Sequence, residues 1–110
     1  GMPGAQTLYL HEGLRKSLIA HNMRETLIAA ICAAPIVLGR RDLLNGRRAT
    51  CYPGFEDELH GAHIVNERVC EDGHIITARG PGCVNDFAFA IAARFVDSAT
   101  LSRVKSDMLL

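Results

Sequence analysis

The feature that most constrains the fold of this sequence is a short apolar run, Thr26 to Ile31, that ends directly on Cys32. The run shows no alternation of polar and apolar residues, which is typical of a strand buried on both faces of a parallel sheet. A helix is predicted immediately afterwards, at Ala33 to Leu44, with Pro35 in its first turn, where the missing N–H costs nothing. A strand that leads at once into a helix indicates an α/β fold.

The other segments alternate between helical and strand patterns. Leucines recur every four residues between Gln6 and Asn22, which predicts a helix before the buried strand. The next predicted elements are a strand at Arg48 to Tyr52, a helical turn at Phe55 to Leu59 and a short strand at Ile64–Val65. A hairpin follows, with strands Arg68 to Cys70 and His74 to Thr77 joined around Glu71-Asp72-Gly73. Two helices end the chain: one after Gly82, with Phe87, Ile91 and Phe95 on its core face, and a last one N-capped by Ser98. Asn45-Gly46 is the predicted stop of the second helix.

As a domain, this pattern is incomplete. The 110 residues allow one domain at most, yet the chain begins with a helix and offers few central strands. A strand like Leu27 to Cys32 needs partners, since an unpaired edge exposes backbone and apolar groups. We therefore expect residues 1–110 to form a partial domain that lacks N-terminal βα units. Such a chain is expected to associate through its exposed sheet edge or to form a homo-oligomer.

Cys32 is the residue best placed for chemistry. It lies between a buried strand and a helix, among small neighbours, which is the arrangement of a nucleophile elbow. Its side chain would emerge at the carboxyl edge of the sheet, where open α/β sheets bind their ligands. A helix N-terminus favours the reactive thiolate, and the N–H of Ala33 would face a developing oxyanion. The alternative interpretation is a buried structural cysteine, a common fate for this residue type.

Five segments resemble, in the same order, the motifs of the DJ-1/ThiJ/PfpI superfamily. They are the end of a Gly-rich loop at Gly1-Met2-Pro3-Gly4-Ala5, the nucleophile motif at Ala29 to Pro35, the facing strand end at Thr50-Cys51-Tyr52-Pro53, the hairpin and loop at Asp72 to Gly82, and the next helix at Asp86 to Ile91. Gly1 is either the native glycine of that loop or a remnant of tag removal before an assigned start at Met2.

The resemblance implies a flavodoxin-like three-layer sandwich, similar to class I glutamine amidotransferases, with a mainly parallel sheet and usually a dimer. It implies that Cys32 is the reactive cysteine and that the backbone N–H groups of Gly1 and Ala33 form an oxyanion pocket. The site would be lined by Tyr52, Gly80 and Pro81. The activities it implies are glyoxalase- or deglycase-type reactions on small aldehydes, redox sensing in oxidative stress, chaperone action and, in one branch, protease or amidase activity.

Three departures from the family pattern limit what this chain is expected to do. No residue matches the acidic partner that the family places on its first strand, and neither Glu12 nor Glu25 substitutes for it. Tyr52 stands where some branches have a His and cannot act as a base near neutral pH; this resembles the bacterial ThiJ-like branch. Ala33 stands where the peptidase branch has a His, which argues against a Cys-His protease.

Composition excludes other classes of function. Twelve basic and twelve acidic residues give no electrostatic case for nucleic acid or a membrane surface, and no apolar run is long enough to cross a bilayer. The four cysteines fit neither a zinc template nor a secreted disulfide framework, which favours free thiols in the cytoplasm. Among them Cys51 is interpreted as a residue of strand packing, with a second redox thiol beside the site as the alternative, whereas Cys70 and Cys83 are expected to be structural. Neither a cofactor nor a metal is expected, and His60 and His63 are interpreted as loop residues.

Three hypotheses about function therefore remain open. The complete protein would use Cys32 on a small carbonyl compound or an oxidant, while this chain alone would be nearly inactive. The second hypothesis is a non-enzymatic oxidation sensor or chaperone-like module. The third is a truncated product without an independent function.

Overall fold

The computed structural model describes all residues, 1–110, and is organised around a three-stranded sheet. Its strands are β1 (Ile28–Ile31), β4 (Val69–Asp72) and β5 (Ile75–Ala78), in the spatial order β1-β5-β4. β5 pairs parallel with β1 and antiparallel with β4, and all four of its residues are buried. Two further strands, β2 (Arg48–Ala49) and β3 (His63–Ile64), pair parallel with each other in a separate small sheet.

The hairpin of β4 and β5 forms where the sequence predicts it. Asp72 pairs with Ile75, and Gly73 between them has a φ of +59°, a left-handed conformation that suits glycine. β4 begins one residue later than predicted and continues to Asp72, and β5 keeps the predicted length but is shifted by one residue, to Ile75–Ala78. β2 is shorter than the predicted strand at Arg48 to Tyr52, because the Thr50 amide donates to the Thr77 side chain at 3.0 Å rather than to a ladder carbonyl.

Strand β1 is fully buried on one face only. Ile28 and Ala30 are buried, but Ala29 between them is exposed, so the expectation of burial on both faces is wrong for this chain. β5 is the only strand that pairs with β1, so the outer edge of β1 is free. An apolar groove lies beside it, lined by Leu8, Leu14, Leu18, Ile28, Ala29, Ala30, Ala34, Val37 and Leu38.

The single helix predicted at Gln6 to Asn22 is instead two helices, α1 (Gly4–Leu10) and α2 (Glu12–Arg24). His11 separates them in an extended conformation, and its imidazole Nδ1 accepts a hydrogen bond from the Leu14 amide at 2.9 Å. A residue that N-caps a helix has a non-helical backbone, so the preceding helix α1 ends before His11. The leucine spacing predicts helical residues on both sides but does not reveal the break.

The other helices also differ from the expectations. α3 (Pro35–Arg40) ends before the predicted Leu44, because Asp42 adopts a φ of +60° and the backbone closes in a tight turn. α4 (Val84–Ala92) has no fully buried residue, and Phe95, expected in its core stripe, lies beyond its end with 72% of its surface exposed. α5 (Ser98–Asp107) is capped by Asp97, whose carboxylate accepts from the Thr100 amide at 2.7 Å, and not by Ser98.

The best-buried side chains come from α3 and β5, and the loop after α3 packs against them. Ile36, Leu44, Ile75 and Ile76 are fully buried. Gly39 lets α3 approach the segment after β2, since a Cβ atom there would lie 2.2 Å from the backbone oxygen of Glu58. Glu58 belongs to a short 3₁₀ turn, Glu56–Glu58, close to the helical turn predicted at Phe55 to Leu59. None of the five helices has the length and apolar character needed to cross a bilayer.

Candidate active site

Cys32 follows β1 directly and adopts a φ of +66°, in the left-handed region that non-glycine residues rarely occupy. Its N–H donates to the carbonyl of Ala78 at 2.9 Å, and its carbonyl accepts from the Tyr52 N–H at 2.8 Å. These two hydrogen bonds hold a strained backbone in place between the end of β5 and the chain after β2. A strained residue at a strand-to-helix turn is the geometry of a nucleophile elbow.

The N–H of Ala33 makes no hydrogen bond within the chain. The next amide, that of Ala34, donates to the carbonyl of Ile31 at 3.1 Å and is therefore occupied. Ala33 itself is buried. A free N–H beside the thiol-bearing residue is a donor that a developing oxyanion can use.

Gly1 lies beside the start of α3. It lines a cavity of about 440 Å³ together with Ala34, and its carbonyl accepts a hydrogen bond from the amide of Ala5 at 2.9 Å. The two residues expected to supply backbone donors, Gly1 and Ala33, thus lie on neighbouring segments. Their roles stay predictions.

Tyr52, Gly80 and Pro81, the expected pocket residues, line one cavity of about 320 Å³. The Tyr52 ring packs against Gly80, where an added Cβ atom would lie 3.3 Å from the ring carbon Cδ2. Tyr52 is 46% exposed, so the protein covers only part of this residue. Cys32 does not line this cavity, although the backbone hydrogen bond to Tyr52 places the two side by side.

Two arginines that were not predicted as site residues, Arg68 and Arg79, also line this cavity. Arg68 binds the Asp86 carboxylate at 3.0 Å and the carbonyl of Gly82 at 2.6 Å, while Arg79 donates to the side-chain amide oxygen of Asn66. Arg79 directly follows β5, as Cys32 directly follows β1. A charged residue at the carboxyl end of a buried strand was the available signal for Arg79.

Cys51, the candidate second redox thiol, is only 2% exposed. Burial, reinforced by the negative charge of Glu56, raises its pKa to about 11, and the positive charge of Arg79 opposes the rise. A thiolate at Cys32 raises the pKa of Cys51 further, so the two sulfurs lie within electrostatic range. Cys70 and Cys83 are also buried, and all four cysteines are free thiols.

The residues joined to Cys32 by backbone hydrogen bonds supply neither a carboxylate nor an imidazole. They are Tyr52 and Ala78. His60 is 4.0 Å from Glu58, and no group of three or more His, Cys, Asp or Glu side chains is arranged to hold a metal ion.

Comparison with known proteins agrees with this geometry. The sequence profile described as the DJ-1/PfpI family matches residues 1–94. The chain belongs to the DJ-1/PfpI family. It is 34% identical to the Parkinson disease protein 7 homolog of Danio rerio over 113 residues, covering all of this chain and 60% of that protein.

Solved structures of the family have the same fold. Drosophila melanogaster DJ-1beta superposes with a TM-score of 0.92 at 31% identity, covering 100% of this chain and 60% of that chain. Oxidised Toxoplasma gondii DJ-1 superposes with a TM-score of 0.91 at 33% identity, covering 99% of this chain and 60% of that one. The predicted flavodoxin-like α/β fold is confirmed. The chain spans between 26% and 60% of the first curated relatives it matches. The bacterial ThiJ-like branch and the C-terminal position of the match stay predictions.

Proposed function

We propose that Cys32 is the nucleophile of this protein and that it attacks small electrophiles, above all the carbonyl carbon of an aldehyde. One observation carries the proposal. The residue is held at a φ of +66° at the end of a strand, with the unoccupied N–H of Ala33 next to it. Both features belong to enzymes that form covalent intermediates on a cysteine or serine.

The chemistry is an addition. The Cys32 thiolate forms a C–S bond to the carbonyl carbon, the C=O π electrons move to oxygen, and the oxyanion accepts a hydrogen bond from the Ala33 N–H. Protonation of the oxyanion by solvent completes a hemithioacetal. Turnover of a 2-oxoaldehyde such as methylglyoxal to a hydroxy acid needs proton transfer from one carbon to the other, which gives a thioester, and then hydrolysis of the C–S bond by water to release the thiol. The proton transfer requires a positioned base. The whole protein would supply that base, so this chain alone is expected to capture aldehydes with almost no turnover.

Redox sensing is the second candidate function, in which a peroxide replaces the aldehyde. It is favoured because the backbone neighbours of Cys32 supply no base: oxidation of a thiolate needs none, whereas aldehyde turnover does. The solved Toxoplasma relative is an oxidised form. A thiol that reports oxidants must start reduced, which suits a reducing compartment such as the cytoplasm.

The proposal is tested by competition among the four thiols. The reduced protein is treated with limiting iodoacetamide or methylglyoxal, and the modified cysteines are identified by peptide mass spectrometry. Each cysteine lies on its own tryptic peptide, at residues 25–40, 49–68, 69–79 and 80–94. We expect residues 25–40 to be modified first, because Cys32 is partly accessible and the other three are buried.

Two variants complete the test. Cys32→Ser should abolish the fast modification, while the matched control Cys70→Ser, which removes a buried thiol on β4, should leave its rate unchanged. Preferential modification of any other cysteine contradicts the proposal. Methylglyoxal turnover that disappears in Cys32→Ser would confirm the nucleophile but contradict the expected inactivity of this chain.

Self-association through the outer edge of β1 belongs to the same proposal. The edge has no strand partner, and the apolar groove beside it is open. Unpaired edges of this kind pair readily with other chains. Light scattering tests this expectation: a concentration-dependent increase in mass supports it, and a monomer at all concentrations contradicts it.

A further inference from the structure

We infer that Cys51 is the resolving thiol of Cys32: oxidised Cys32 forms an intramolecular disulfide with Cys51 that can be reduced again. This inference rests on the proposed reactivity of Cys32 and adds a way to regulate it. The two cysteines differ in burial: Cys32 is partly exposed, and Cys51 is buried.

The backbone brings the two residues together. The amide that donates to the Cys32 carbonyl at 2.8 Å joins Cys51 to Tyr52. Standard bond lengths and bond angles then limit the separation of the two Cα atoms to about 7.6 Å, and any bend at the hydrogen bond itself reduces it further. Disulfides join Cα atoms roughly 4.4–6.8 Å apart. Cys51 is therefore close enough for a disulfide with Cys32 after at most a small adjustment.

The two thiols differ in access to solvent in the way that a reactive and a resolving cysteine should. Cys32 is partly exposed, and small oxidants can reach it. Cys51 is 2% exposed, and its raised pKa keeps it as the unreactive thiol. Oxidants in solution therefore select Cys32, while Cys51 needs to reach only its neighbour.

The remaining cysteines are poor alternatives. Cys70 lies on β4, paired with Thr77 of β5, so a whole strand separates it from β1. That places it about two strand spacings, roughly 9–10 Å, from the line of β1. Cys83 has no backbone hydrogen bond to Cys32 or its neighbours; its amide bonds to the carbonyl of Gly80.

The reaction has two balanced steps. The Cys32 thiolate attacks the outer oxygen of a peroxide, the O–O bond breaks, and after one proton is taken up the products are Cys32 sulfenic acid and an alcohol, or water from hydrogen peroxide. The sulfur of Cys51 then attacks the sulfenic sulfur, and an S–S bond forms with release of water. Cys32 and Cys51 together lose two electrons, which the peroxide gains. A dithiol reductant returns both thiols and is itself oxidised to a disulfide.

The functional consequence is protection of Cys32. A sulfenic acid without a resolving thiol is oxidised further to sulfinic acid, which most reductants cannot reverse. Cys51 competes with that second oxidation. The proposal therefore makes two predictions about the oxidised protein: which peptides are cross-linked, and how much sulfinic acid forms when Cys51 is absent.

The experiment treats the reduced full chain with a small excess of hydrogen peroxide, blocks remaining thiols and maps the peptides without reduction. Before the thiols are blocked, the protein should be about 2 Da lighter and should recover its original mass after dithiothreitol. In the peptide map, residues 25–40 should be joined to residues 49–68. In Cys51→Ser, residues 25–40 should become about 32 Da heavier, with roughly tenfold more sulfinic acid than in the unaltered chain. Cys70→Ser, which removes a buried thiol out of reach, should behave like the unaltered chain.

The outcomes separate the two proposals. Equal sulfinic acid at Cys32 with and without Cys51, and no cross-link, overturns the inference but leaves the nucleophile intact. A cross-link of residues 25–40 to residues 80–94, or one between two chains, also overturns it. If Cys32 stays unmodified while another cysteine is oxidised, the proposed function itself fails. The cross-link in the unaltered chain decides the inference even if Cys51→Ser does not fold, and circular dichroism checks the variants.

Discussion

The strain at Cys32 predicts an unusual order of stability for two small replacements, Cys32→Gly and Cys32→Ala. Both remove the thiol, so the difference between them isolates the backbone. In ordinary helix or strand conformations, Ala is more stable than Gly by about 0.5–1 kcal/mol, because Gly loses more chain entropy on folding. At Cys32 the φ of +66° reverses the comparison, since only Gly adopts this region without steric cost.

The magnitude follows from the two opposing effects. The left-handed conformation destabilises a residue with a Cβ atom by about 1–2 kcal/mol. Gly avoids this cost but loses more chain entropy on folding, which offsets about 0.5–1 kcal/mol of its advantage. Taking the middle of each range, Cys32→Gly should be more stable than Cys32→Ala by about 0.75 kcal/mol. For a chain of this size, with a urea m-value of about 1.5–2 kcal/mol/M, the midpoint should differ by about 0.4–0.5 M.

The assay is urea unfolding followed by circular dichroism, with equal m-values as the check that both variants unfold alike. Ala30→Gly serves as the control, because Ala30 lies in the same strand with ordinary extended geometry and should lose stability. An Ala variant as stable as the Gly variant, or more so, would refute the claim that Cys32 is held in a strained elbow.

Two further predictions concern packing and pH. Gly39→Ala should destabilise the protein by about 1–3 kcal/mol in the same unfolding assay, because its Cβ atom would lie 2.2 Å from the backbone oxygen of Glu58. Gly4→Ala is the control: its Cβ atom would meet open space, so the free energy of unfolding should change by less than about 0.5 kcal/mol. The second uses Cys51, whose pKa is raised to about 11 in the folded protein by burial and by Glu56, against the opposing charge of Arg79. Between about pH 9 and pH 11 the unfolded chain gives up the Cys51 proton and the folded chain keeps it, so this group should lower stability by up to about 1.4 kcal/mol per pH unit. The total fall should be smaller by that contribution in Cys51→Ser, where buried Cys70, whose pKa is also raised, still contributes.

The elements that the sequence predicts well are those whose signals are local. The run before Cys32 and the hairpin at Gly73 depend on neighbouring residues alone, and both lie where they were expected. The family motifs also follow one another along the chain, so the fold could be inferred from order and spacing. The bounds of α1 and α2 could not be inferred in this way, because the break at His11 depends on a side chain that caps the following helix.

Features that depend on distant contacts were missed. The exposure of Ala29 and Phe95 reflects which surfaces the rest of the chain covers, and periodicity along one helix or strand does not contain that information. Arg79 and Glu56 affect Cys51 through space from two separate segments. Cys51 itself was placed near Cys32 by motif order, but its burial and raised pKa required the three-dimensional structure.

The position of Cys32 at the end of β1 links its reactivity to the unpaired edge of that strand. Hydrogen bonds to Ala78 and from Tyr52 hold Cys32 in its strained conformation, but only β5 holds the strand before it. A strand paired on one side opens locally at lower free energy than a central one, and opening would release the strain at Cys32. Any chain that pairs with the outer edge of β1 would therefore also stabilise the elbow. On this reasoning, association at the edge and reactivity at the thiol should rise together.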